Sequence, residues 1–133
     1  MSDNGEIIKK KELKASTVSL RQDGIIEFLI KPNVTLNAAD AREIVDATNE
    51  IGEGKKYPLL ITAGSFSLVD TEVRYYASSP EANRFTIASA ILVNNVAQKL
   101  MGNAYIKFNQ PPTPTRLFTD KNQAIGWLKT FLK

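Results

Sequence analysis

The apolar residues of this chain change period along its length, from the two-residue repeat of a strand to the repeat of about 3.6 of a helix and back. The stretch KASTVSLR alternates and is rich in β-branched residues, as a strand requires. QDG follows, a turn in which Gly24 can take positive φ, and IIEFLI is a second strand that closes an antiparallel hairpin. Ala41, Ile44, Val45, Thr48 and Ile51 then fall at helical spacing. Asn37 is suited to cap this helix, Asp40 to meet its positive end, and Gly52 and Gly54 to close it. YPLLIT is a strand entered at Pro58, and TEVRYYAS a short helix stopped by Pro80. TIASAILV is a buried strand, and NNVAQKLMGNAYIKFN is helical up to Pro111 and Pro112. TRLF is a short strand. The last helix is capped by Thr119, has Asp120 in its first turn, and turns Ala124, Trp127, Leu128 and Phe131 inward.

Strands that alternate with helices demand a largely parallel sheet with right-handed crossovers. The expected fold is therefore α/β: a mixed sheet of about five strands, antiparallel at its N-terminal hairpin, with four helices. A chain of 133 residues is one domain long. Residues 1–12 are polar and expected to fray, leaving residues 13–133 as the domain.

Composition narrows the chemistry. The chain has no Cys and no His, which removes thiolate catalysis, disulfides, the commonest general base and His-based zinc sites. No convergent carboxylate pair compensates: Glu43, Asp46 and Glu50 line one outer side of the first helix, a solvated face. The expectation is a protein that is not an enzyme and has no cofactor or metal. No apolar run of about 18 residues is present, and the N-terminal segment lacks the pattern of a secretory signal, so a cytoplasmic location without a membrane span is expected. The net charge of +3 is dispersed. Lys9, Lys10, Lys11 and Lys14 share their segment with Asp3, Glu6 and Glu12, which does not make a nucleic-acid surface.

Two places stand out. In NNVAQKLMGNAYIKFN, Ala97, Leu100, Met101, Ala104, Tyr105 and Phe108 cover about half of the helix circumference, wider than a helix on a sheet needs. Leu100, Met101, Ala104, Tyr105 and Phe108 thus form a candidate dimer or ligand face, with a symmetric homodimer ranked first. Gly102 in the same helix would admit another backbone. The second place is AGSFSLVDTEVR, between a buried strand and a helix. Strand ends of open α/β sheets bind ligands, so Gly64, Ser65, Phe66, Ser67 and Glu72, with Asn94 and Asn95 of the next connection, form a candidate binding-face loop. Thr71 beside Asp70 reads either as a helix cap or as a phosphorylated hydroxyl, since a phosphate there would also meet backbone N–H groups.

The element order, YPLLITAG and RFTIASAILVNNVAQKLMGNAYIKFNQPPTPTRLFTDKNQAIGWLK resemble the STAS/SpoIIAA-like superfamily over roughly residues 14–132. More narrowly they resemble an uncharacterised bacterial STAS/SEC14-like branch. The resemblance implies a small, non-catalytic α/β domain that binds a regulatory protein partner and is switched at a Ser or Thr following an Asp, which Asp70 and Thr71 match. The superfamily pattern continues with a small residue and Gly, where this chain has Glu72 and Val73. The SEC14-like label implies the alternative, a domain that binds a small molecule or lipid. A binder of that kind should contain a closed apolar pocket near Phe66, Tyr76 and Met101. An interaction module should present a shallow polar face there.

Overall fold

A computed structural model describes residues 5–65 and 67–132. In chain order the elements are β1 (Ile7–Glu12), β2 (Ser16–Arg21), β3 (Ile26–Ile30), β4 (Thr35–Leu36), α1 (Ala38–Gly52), β5 (Tyr57–Thr62), β6 (Leu68–Val69), α2 (Thr71–Ala77), β7 (Thr86–Leu92), α3 (Val96–Ala104), a π-helical turn (Tyr105–Asn109), β8 (Thr115–Phe118) and α4 (Lys121–Lys129). The main sheet has six strands in the order β1-β2-β3-β5-β7-β8, and β4 and β6 pair as a separate two-stranded ribbon. β1, β2 and β3 are antiparallel; β3, β5, β7 and β8 are parallel. All five expected strands and all four expected helices are present.

The sixth strand is β1, in the segment expected to fray. Ile7–Glu12 pairs along β2 and forms the edge of the sheet. Its side chains are mostly exposed, so backbone pairing rather than burial defines it, and the apolar pattern could not reveal it. Lys9 and Lys11 reach across to Glu53 and Glu50 at the end of α1.

The strand order dictates the layering. The crossovers β3→β5, β5→β7 and β7→β8 all advance in one direction, and right-handed crossovers of that kind place their helices on one face. α1, α2 and α3 accordingly share a face, and α4, which follows the last strand, covers the other. Two cores result. One joins Val18, Ile26, Phe28, Ile30 and Leu59 to Ala41, Ile44 and Ile51 of α1 and Val73 of α2. The other joins Leu60, Ala88, Ala90 and Phe118 to Ala124 and Leu128 of α4, with Trp127 stacked against Phe118 and Phe131.

The helix ends show local chemistry at work. Asn37 and Asp40 form a reciprocal capping box, each side chain accepting from the other's backbone N–H at 2.9 and 3.0 Å. The chain leaves α1 through Glu53 and Gly54, both at positive φ. The cap of α4 is Asp120, one residue beyond Thr119: its carboxylate accepts from the Asn122 N–H at 2.9 Å. Pro58 lies inside β5 where the register with β7 slips, so its missing N–H removes no regular bond. At the hairpin, Arg21 is 3% exposed and holds Asp23 through two hydrogen bonds of 2.7 and 3.1 Å. Glu27 lies 3.7 Å from the same guanidinium, and Lys121 and Lys129 of α4 approach Glu27 and Asp23. No helix among the described residues is long and apolar enough to cross a membrane.

Candidate functional site

α2 and α3 do not press onto the strands beneath them. The main neighbours of α2 are α1 and the π-helical turn, while α3 leans on that turn and on β8. Ala77 of α2 and Ser89 of the strand below are small residues on the facing surfaces. The volume left between helices and sheet is a cavity of about 210 Å³. Its floor is Phe28, Ile30, Leu59, Ile61, Ser89 and Ile91 of β3, β5 and β7; its roof is Val73, Tyr76, Met101 and Tyr105. Polar groups are few. The hydroxyls of Ser89 and Tyr105 make no hydrogen bond to any described residue. Burial pushes the Tyr105 phenol up to about 12. Burial also raises Tyr76, whose ring is covered by the Arg42 guanidinium at 5.3 Å.

A second concavity lies outside the first, in the groove between α2 and the α3–π segment. Its walls are Thr71, Tyr75, Leu100, Ala104, Phe108 and Asn109. Arg74 and Met101 line both spaces, so they are at once the floor of the groove and part of the roof of the cavity. Tyr75, Leu100 and Phe108 are 68, 65 and 75% exposed, an unusual density of bare apolar groups along one slit.

The sequence-derived candidates sort accordingly. The expected α3 face divides in two: Leu100, Ala104 and Phe108 wall the groove, Tyr105 faces the cavity, and Met101 touches both. The two rows keep i, i+4 spacing, Leu100–Ala104–Phe108 on one and Met101–Tyr105 on the next, so the division is one of packing, which the period did not reveal. Gly102 makes room not for another backbone but for Leu117 of β8, whose Cδ2 would lie 2.7 Å from an added Cβ.

The expected binding-face loop is tied down from within. The Gly64 carbonyl accepts from the Ser67 hydroxyl at 2.8 Å and the Gln98 side chain at 3.0 Å, and a Cβ on Gly64 would lie 2.6 Å from the Pro32 nitrogen. Gly64 is thus required by a close approach of two chain segments. Asn94 donates to the Ala63 carbonyl at 2.7 Å, and Asn95 caps α3 by accepting from the Gln98 N–H at 2.8 Å. Both asparagines serve the scaffold here. Ser65 and Glu72 are exposed, Ser67 is buried at the cavity wall, and Phe66 lies outside the described residues.

Thr71 does not cap α2. Asp70 occupies the cap position, with no capping bond from its side chain, and Thr71 is the first helical residue. The exposed Thr71 hydroxyl instead accepts from Arg74 Nη2 at 3.2 Å, while Nη1 donates to the Val69 carbonyl at 3.1 Å. This pair of bonds holds the guanidinium at the slit. Among the described residues, no group of His, Cys, Asp and Glu is arranged to hold a metal ion.

Comparison with known proteins places this architecture. The chain is similar over 96% of its length to an uncharacterised protein of the DUF3478 family with a SpoIIAA-like fold from Shewanella loihica PV-4. The two are 18% identical, 98% of that chain is covered, and the TM-score is 0.57. A protein of unknown function from Arthrobacter sp. FB24 is 22% identical over 84% of this chain and 96% of its own, with a TM-score of 0.28. No curated protein matches the chain. The fold is SpoIIAA-like, as the sequence resemblance implied. Residues 18–132 match the model of one family, so the chain belongs to the family described as domain of unknown function DUF7793.

Proposed function

We propose that this protein is a binding module for a small apolar molecule, held between the sheet and helices α2 and α3. One observation carries the proposal: a cavity of about 210 Å³ with an almost wholly apolar lining, bounded on its outer side by Arg74 and Met101, which it shares with the neighbouring groove. Apolar cavities of about 150 Å³ stay dry and take up benzene. Scaled from that case, this one accommodates a body of roughly eight to ten carbon atoms. Tyr76 and Met101, the two described residues around which a pocket was expected for a binder, both line it. The fold supports a STAS-like module of either kind, and the cavity favours the small-molecule alternative over a purely polar interaction face. The test is native mass spectrometry of protein purified from its own cells, followed by calorimetric titration with octan-1-ol. A co-purifying small molecule, or saturable uptake of the alcohol, is expected. An empty protein that takes up no alcohol overturns the proposal.

The regulatory reading keeps one specific observation in its favour. Thr71 presents an exposed hydroxyl beside an arginine, and a phosphate there would gain charge-assisted hydrogen bonds from Arg74. In that reading the turn from Gly64 to Glu72 meets a regulatory protein, and the bare α3 face joins two copies. Intact-mass analysis of the purified protein tests the modification, and sedimentation at high micromolar concentration tests the dimer. An unmodified Thr71 together with a monomer would remove this reading.

A further inference from the structure

Resting on the small-molecule reading, we propose that the ligand is a monocarboxylate: an apolar body in the cavity, with its carboxylate on Arg74 at the slit. Among the described residues, Arg74 is the one charged residue lining either space. It is also the one arginine among the described residues with neither an ion pair nor an aromatic partner. Arg21 holds Asp23, Arg84 reaches Glu81 and lies over Phe85, Arg42 lies over Tyr76, and Arg116 lies over Phe118. The bonds to Val69 and Thr71 use two of five N–H donors and supply no negative charge. A cation on the boundary between an apolar cavity and the outer groove, anchored but not neutralised, selects an amphipathic anion.

The form of the anion follows from what surrounds it. Among the described residues no second cation lines either space, so a dianionic phosphate would find half its charge unmatched there. A carboxylate carries one charge and matches the planar guanidinium fork. Thr71 acts as a positioning residue, because its hydroxyl holds Arg74 Nη2 in place without touching the cavity.

The experiment is paired calorimetric titration of the full chain with octanoate and octan-1-ol, which share a tail and differ in the head. The expected result is octanoate binding about tenfold or more tighter than the alcohol, the gain of a charge-assisted hydrogen bond. That preference should shrink as salt is added, and the affinity ratio should fall to about one in Arg74→Gln. The Arg74→Lys variant, which keeps the charge but loses the fork, should lie between. Equal binding of acid and alcohol by the unaltered protein overturns the monocarboxylate while leaving the cavity reading intact. Binding of neither probe removes both. The comparison within the unaltered protein decides the matter even if a variant fails to fold.

Discussion

On one face of the sheet, α4 lies directly on β5, β7 and β8; on the other, α2 and α3 leave a gap over β5 and β7. The strand β7 shows the reason in its alternation. Ala88 and Ala90 point toward α4 and are fully buried beneath it, with Ala124 fully buried on the helix side. Small side chains on both surfaces let helix and strand approach until Leu60, Leu128 and Phe118 fill the remaining space. Ser89 and Ile91 point the other way, where α2 offers Ala77, and the gap stays open. Small residues close one interface and vacate the other. On this face α2 and α3 are each carried on a crossover between parallel strands. Loops at the ends of those crossovers are pinned by Gln98, Asn94 and the close approach at Gly64.

Matched truncations give the largest effect. Leu128→Ala on the close-packed face should cost about 2–5 kcal/mol in urea denaturation. Ile91→Ala on the cavity face should cost less than half as much, because it enlarges a space already vacant. Equal losses would mean that the two faces are equally filled, and the comparison would break. The next effect has the opposite sign. Ser89→Ile adds apolar volume to a strand position facing the cavity and removes a hydroxyl without a partner. It should stabilise the protein by about 1 kcal/mol and abolish octan-1-ol uptake. Destabilisation would show that the site has no room.

The smallest effect is confined to alkaline solution. The Tyr105 phenol is raised from 10.0 to about 12 by burial, so the fold favours its neutral form. The stability this contributes is complete below pH 10 and is lost as the pH rises toward 12. Unfolding free energy measured across that range should fall more steeply for the unaltered protein than for Tyr105→Phe. Parallel curves would place Tyr105 in water rather than under the roof of the cavity.

Much of the architecture was legible because it is written in local chemistry. Asn37 and Asp40 announce a helix start, and the alternations in STVSLR and TIASAIL announce buried strands. The cavity was not legible, because a void has no residue of its own. Its one sequence signal was the excess apolar arc of α3, and the arc alone did not say that Tyr105 turns inward while Phe108 turns out. Asn94 and Asn95 show the converse limit. Polar residues at a strand end look like ligand contacts until their hydrogen bonds are traced to Ala63 and Gln98. Thr71 was singled out for its place before a helix, yet its hydroxyl is spent on Arg74, a relation three residues along that depends on the side chain bending back.

The strand β1 has a consequence for how copies of this protein behave in a crowded solution. An open sheet leaves unpaired N–H and C=O groups along its outermost strand, and such an edge can recruit a strand from a neighbouring molecule and begin an aggregate. Here that edge carries Lys9, Lys10 and Lys11 in succession. A second copy adding its own β1 would bring like charges side by side, and two of those lysines are already committed to Glu53 and Glu50. The charge that hides this strand from a hydropathy pattern also guards the sheet against growing beyond its six strands.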